Sequence, residues 1–275
     1  MEIRDIFLDS DEYFLQDFKK SIIYLHHTEG GHRPDFTVNA WNKDKYSNGL
    51  LRKIATSFVI GGKSTRDGDT SWDGVCVRCF PESKWAWHLG AINTNGMYDK
   101  ISIGIEICNY GYLVRSKSGK FMTYVNSVVP EDQVIELDKP FKGFKYYHKY
   151  TNKQLDALRE LLVYLGNKFD INLKLGLQEW INKETLIMPN NLSILDQQRW
   201  LNRFGFIGKN GLPLVEDGVW GQNTSFGIQS IGKSAFEFNP LTYNGYPGVW
   251  SHSNINVEKS DISPQPNLIS MITSL

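Results

Sequence analysis

Residues Ile101 to Cys108 alternate with period two along their whole length. An extended strand puts Ile101, Ile103, Ile105 and Ile107 on one face and Ser102, Gly104, Glu106 and Cys108 on the other. β-Branched side chains aligned this way need an apolar layer over them. Small residues flanking a glutamate predict that the opposite face stays open for a ligand. The layer comes later in the chain. Thr151 and Gln154 have the spacing of a capping box. Leu155, Leu158, Leu162, Leu165 and Phe169 then follow at helical spacing, which predicts an amphipathic helix over 152–169 laid on the sheet.

Further strands are expected at Ser21–Thr28, Ala55–Ile60 (closed by Gly61 and Gly62) and Val75–Phe80 (stopped at Pro81). Strands interleaved with a capped helix argue for an α/β domain. Residues 111–150 read as an irregular insertion with hairpin character. From about Leu177 the texture changes. Leu195–Phe206 reads as a short helix stopped by Gly205, and Asp217–Thr224 as a Gly-bounded turn into another helix. This small helical unit interrupts the α/β domain, giving 1–177 as its first part, 178–243 as an insertion and 244–275 as its return.

At 275 residues, with 41% hydrophobic and 22% charged side chains, the chain has ample material for such a core. A formal net charge of zero argues against broad electrostatic binding to nucleic acid or anionic lipid. No apolar run approaches the ~18 residues needed to span a bilayer. Met1–Asp5 lacks the basic and apolar regions of a signal peptide, so synthesis in the cytoplasm without a secretory address is expected. Three cysteines make no disulfide framework. Cys76 and Cys79 have a metal-like spacing, but on a strand they face opposite sides and read as structural thiols.

The residues with chemical potential are few. His26 and His27 close a strand, and alternation lets only one of them look into a site at its end. His252, Lys259 and Asp261 lie within ten residues of one another on a segment poor in bulky apolar side chains. If Lys259 to Asp261 runs extended, a metal ligand and an ammonium face one cavity.

Taken in order, His26-x-Thr28, Ala86-Trp87-His88-x-Gly90, Ser102-Ile103-Gly104-Ile105-Glu106, and His252 followed by Lys259-x-Asp261 resemble the zinc-dependent N-acetylmuramoyl-L-alanine amidases. That superfamily includes the peptidoglycan recognition proteins. Asp73-Gly74-Val75, Phe80-Pro81 and the helix start at Tyr150–Leu158 keep the same register, so the resemblance covers about 20–176 and 245–268. It implies a mixed central sheet flanked by helices, and one Zn2+ per chain held by His26, His252 and Asp261. It implies Glu106 and Lys259 as the catalytic pair and His88, Trp87 and Asn95 as substrate contacts. Two departures stand out: Thr56 sits where some relatives carry a tyrosine, and Ile262-Ser263-Pro264 replaces the usual Pro-Gly after the last ligand.

The inserted block resembles a three-helix peptidoglycan-binding module through Gln198-x-x-Leu201-Asn202-x-x-Gly205-Phe206 and the turn Asp217, Gly218, Trp220, Gly221, Thr224. A lid or spacer of the same fold is the alternative. The implied activity is hydrolysis of the bond between N-acetylmuramic acid and L-alanine, by a monomer acting on peptidoglycan or muropeptides after release or injection. Such an enzyme serves as a phage endolysin or antibacterial effector. A recognition protein that holds peptidoglycan without cutting it is the second reading. Retention of both Glu106 and the full ligand set favours the enzyme.

Overall fold

The computed structural model describes residues 2–90 and 94–275. The chain enters through β1 (Ile3–Asp5) and β2 (Ile22–His27), crosses through α1 (Pro34–Trp41), and returns as β3 (Phe58–Ile60) and β4 (Cys76–Arg78). A short helix α2 (Met97–Ile101) then feeds β5 (Ser102–Ile107), the strand expected from the isoleucine alternation. These strands and a late one, β11 (Gly248–Ser251), form a six-stranded sheet in the order β1-β4-β3-β5-β2-β11. β3 and β4 pair antiparallel, while β3, β5, β2 and β11 run parallel, so the sheet is mixed.

Between β5 and the long helix lies more order than the sequence predicted. β6 (Tyr112–Arg115), β7 (Phe121–Met122), β8 (Val128–Val129), β9 (Val134–Phe141) and β10 (Phe144–His148) form a second, antiparallel sheet in the order β8-β7-β6-β10-β9. Two of these strands are only two residues long, too short for any periodicity to register. Both faces of the sheet are partly exposed, which blurs the alternation of the others.

Helix α3 (Asn152–Phe169) matches its expected bounds. The Thr151 hydroxyl accepts from the Gln154 amide at 3.1 Å, and the Gln154 side chain accepts from the Thr151 amide at 3.1 Å. Leu155, Leu158, Leu162 and Leu165 share one core with Ile23, Leu25, Ile103, Ile105 and Ile107. On the sheet's other side, Val38 of α1 joins Val59, Val77, Cys79, Phe80 and Cys108 in a smaller core. Cys76 belongs to the first core and Cys79 to the second, and all three cysteines are free and buried.

The inserted block begins with α4 (Leu177–Lys183), which packs on β11 (Gly248–Ser251) and α8 (Pro266–Thr273). It continues through α5 (Ile194–Arg203) and α6 (Gln222–Gln229), whose packing buries Leu201, Phe206 and Leu214. The chain then returns through β11 to a four-residue helix α7 (His252–Ile255). Among the described residues no helix is long and apolar enough to cross a membrane.

Lys20, just before β2, is fully buried, and its ammonium donates to the Lys100 carbonyl at 2.7 Å. Burial pushes its pKa down to about 7, against the opposing pull of Asp99 and Asp17. The unfolded chain, with an ordinary lysine pKa of roughly 10.4, holds one proton more between these values. Stability should therefore rise as pH climbs from 7 towards 9, by up to about 1 kcal/mol per pH unit. Urea titrations at the two pH values should show this slope, and Lys20→Met should flatten it. An equal slope in both proteins contradicts the assignment.

Candidate active site

Register alone brings three of the predicted residues together. β2 pairs with β5 so that His26 lies opposite Glu106. β11 pairs with β2 from Gly248 opposite Ile22 to Ser251 opposite Leu25, which carries the next residue, His252, beside His26. Neighbours in parallel pairs share a face, so all three point away from α3 at the carboxyl ends of parallel strands. His27 points to the opposite face. It is buried, with its Nδ1 3.5 Å from the Tyr150 hydroxyl and its ring against Gly111. A Cβ at Gly111 (φ +71) would stand 2.7 Å from the His27 Nε2, so that position takes only glycine.

His252 opens a helix rather than continuing the strand. Ser251 and Asn254 form a capping box that turns the chain at the sheet edge. The chain then doubles back without forming a strand at Lys259–Asp261, and the Ser253 amide donates to the Asp261 carbonyl at 2.9 Å. The turn is held from below. The Ser253 hydroxyl donates to the Phe236 carbonyl, the Asn254 amide group donates to the carbonyls of Ala235 and Glu237, and the Asn239 amide donates to the Asn254 carbonyl. The last residues of the inserted block are thus built into the support of His252.

The result is a buried trio of ligand atoms. His26 Nδ1 and His252 Nδ1 are 3.0 Å apart, His252 Nδ1 and Asp261 Oδ2 3.0 Å, and His26 Nδ1 and Asp261 Oδ2 3.3 Å. A tetrahedral ion with bonds of about 2.0–2.1 Å needs its ligand atoms roughly 3.3 Å apart. Burial, and then the neighbouring His252, push the His26 pKa down to about 4 against the pull of Asp261. Burial works to raise the Asp261 carboxyl, yet His252 and His26 hold it well below the usual range. Neutral imidazole and ionised carboxylate is the protonation state in which such a group binds a cation. The donor set fits a divalent metal.

Glu106 faces the same space. Its Oε2 is enclosed and has no hydrogen-bond partner among the described residues. Burial, and then Asp261, push its carboxyl well above the usual range, with Lys259 opposing. Lys259 itself is exposed and makes no ion pair among the described residues, but its charge is felt at both Glu106 and His26. Thr56 turns its hydroxyl away, donating to the Phe58 carbonyl at 2.9 Å.

The face expected to be open beside Glu106 is filled. His88 packs over Gly104, its Nδ1 3.1 Å from His26 Nε2 and its Nε2 2.9 Å from the Ser102 hydroxyl. Its side chain is only 4% exposed, and both ring nitrogens are engaged, which leaves no ring atom for a substrate. Trp87 packs edge-on to Phe14 and Trp85. Asn95 is exposed with a left-handed backbone (φ 60). No hydrogen bond joins Trp87 or Asn95 to the trio among the described residues. Ser102 and Asp99 were missed as site residues; only the alternation of β5 could have flagged Ser102.

A cleft of about 1300 Å³ is lined by Thr28, two residues beyond His26, but by none of His26, Glu106, His252, Lys259 and Asp261. Arg33, Phe36 and Trp41 line one side, and Tyr110, Tyr124 and Val128 bring in the second sheet and its approach. In the inserted block, Gln198 organises the predicted turn. Its carbonyl accepts from the Asp217 and Gly218 amides, and its amide group donates to Asp217 Oδ1, the Val219 carbonyl and the Thr224 hydroxyl. Asp217, Gly218 and Thr224 therefore hold the turn, while Trp220 stands 52% exposed beside a groove shared with Phe226.

Residues 17–177, more than half of the chain, match the family described as N-acetylmuramoyl-L-alanine amidase. The matched span contains His26 and Glu106 and ends before His252. Among solved structures, PlyL is similar at 18% identity over 63% of this chain and 78% of that one, with a TM-score of 0.38. The N-acetylmuramoyl-L-alanine amidase LysC from Clostridium intestinale URNW is 14% identical over 62% and 78%, with a TM-score of 0.30. PGRP-SA of Apis mellifera is 16% identical over 62% and 79%, with a TM-score of 0.32. No curated protein gives a significant match.

Gly104 offers a test of how tightly the site is packed. A Cβ there would lie 2.7 Å from the Thr56 methyl and 3.1 Å from His88 Nδ1. Gly104→Ala should cost about 1–3 kcal/mol in chemical denaturation, as overpacking does. Adding Thr56→Ser, which deletes the methyl, should recover a good part of that loss. A single variant as stable as the parent refutes the packing described here.

Proposed function

Because this chain belongs to the N-acetylmuramoyl-L-alanine amidase family, we propose that it hydrolyses the amide between the lactyl group of N-acetylmuramic acid and the L-alanine of the stem peptide, using one Zn2+ at His26, His252 and Asp261. The observation that carries this reading is the convergence of three buried ligand atoms at tetrahedral spacing, with the enclosed Glu106 carboxylate beside them. Zinc in such a site supplies Lewis acidity and lowers the pKa of water towards ~7.

The protein's own groups do the rest. Glu106, held in a low-dielectric niche with Oε2 unpartnered, takes a proton from the attacking water and delivers it to the leaving amine nitrogen. Lys259 keeps its charge within reach of the site and offsets the negative charge growing on the carbonyl oxygen. The cleft lined by Thr28 provides polar and aromatic walls for a muropeptide. His88 is assigned a positioning role instead of a substrate contact.

Metal analysis combined with a muropeptide digest tests this. The purified, zinc-supplied protein should hold one zinc per chain, and His26→Ala or His252→Ala should lose it. Glu106→Gln should keep both zinc and muropeptide binding while turnover falls at least ~100-fold, the loss expected of a missing general base. A parent protein that binds zinc and muropeptide but releases no stem peptide is instead a recognition protein.

Within the expected insertion, we assign the wall-binding function to residues 188–232. The Glu184 carboxylate accepts from the Ala235 amide at 2.5 Å, so the ends of this shorter block lie together. Residues 235–239 must stay because they hold α7. Replacing 188–232 by a short Gly/Ser linker should leave zinc content and cleavage of small muropeptides nearly unchanged. Cleavage of intact sacculi should weaken, since a tethered second contact raises effective concentration. Equal loss on both substrates marks the block as a lid.

A further inference from the structure

The hydrogen bonds behind the histidines form a chain whose direction can be read from its far end. The Ser102 hydroxyl lies 2.6 Å from the Tyr98 carbonyl oxygen. A carbonyl only accepts, and two oxygens approach this closely only with a proton between them, so Ser102 donates there. Ser102 has one proton, and it therefore accepts from His88 Nε2 at 2.9 Å. A neutral imidazole that donates through Nε2 accepts through Nδ1, so His88 Nδ1 takes the proton of His26 Nε2 at 3.1 Å. That leaves the lone pair of His26 Nδ1 aimed at His252 and Asp261.

The other ring is held differently. His252 Nδ1 lies 3.0 Å from the acceptor Asp261 Oδ2 and 3.0 Å from His26 Nδ1, so without an ion His252 donates through Nδ1. Its Nε2 stands 3.4 Å from the Leu89 carbonyl. The two-residue segment is itself clamped: Asp99 Oδ1 accepts from the His88 amide at 2.8 Å and the Leu89 amide at 3.1 Å. Gly104 supplies the space in which the His88 ring lies.

We propose that His88, clamped by Asp99 and read out through Ser102 to the Tyr98 carbonyl, forms a polarised hydrogen-bond relay that holds His26 in its Nε2–H tautomer. The His26 Nδ1 lone pair then faces the ion site before any ion arrives. This makes His88 a positioning residue. The coupling to metal rests on the reading of His26 and His252 as ligands, whereas the tautomers themselves do not.

Nitrogen-15 NMR of histidine-labelled, chelator-stripped protein reads the relay directly. The parent should show His26 and His88 both protonated at Nε2. Ser102→Ala removes only a hydroxyl and should leave His88 and His26 in mixed tautomers. In competition with a chelating dye, His88→Leu should bind zinc about 10–100-fold more weakly. His88→Gln, which both donates and accepts, should keep most of the affinity. Circular dichroism checks folding, and if His88→Leu does not fold, Ser102→Ala decides. A His26 protonated at Nδ1, a doubly protonated His88, or unchanged tautomers in Ser102→Ala would overturn the relay. So would parental zinc affinity in folded His88→Leu. A parent with the expected tautomers and no zinc uptake defeats the metal assignment alone.

Discussion

Two imidazole nitrogens and one carboxylate oxygen converge on a single buried point, bridged by a proton or by a cation. The whole architecture around His26, His252 and Asp261 enforces that approach. His26 is fixed by a strand paired on both sides, and His252 by the turn at the end of β11. Neither ring can relax without disturbing the core beneath it, because Tyr24 and Trp250, two residues before them on their strands, are fully buried. An interior built this way holds preformed the donor set that a divalent ion would take.

The second consequence concerns how the chain is divided. His252 and Asp261 come after the inserted helices, yet the residues just before β11 are hydrogen-bonded into α7 by Ser253 and Asn254. Leu177 and Trp180 of α4 are buried in the same core as Val249 and Trp250. The segment expected as an insertion is thus tied at both ends into the scaffold of the site, and Leu201 and Phe206 from its middle join the same core.

Much of this was legible in the sequence, and the parts that were not have physical reasons. Period two sent His26 and His27 to opposite faces of β2 and set Glu106 on the face opposite the isoleucines of β5, as found. The register that puts His26 beside Glu106 is seen only in the structure. The capping box of α3 fixed its start because both reciprocal bonds form. Alternation cannot say what covers a face, so the small residues near Glu106 looked open when His88 in fact lies over Gly104. His88 looked like a substrate contact because a motif carries residue identity without orientation; its engaged nitrogens appear only in three dimensions. The second sheet escaped notice because strands of two residues carry no period. The helical start at His252 was hidden by a polar run that reads equally well as strand end or turn.

The most direct test of the central claim is X-ray absorption at the zinc edge of the loaded protein. The account predicts a four-coordinate shell of nitrogen and oxygen only, at about 2.0–2.1 Å, with the outer-shell scattering of two imidazoles. A sulfur shell near ~2.3 Å, drawn from Cys76, Cys79 or Cys108, or a spectrum lacking two imidazoles, would contradict it.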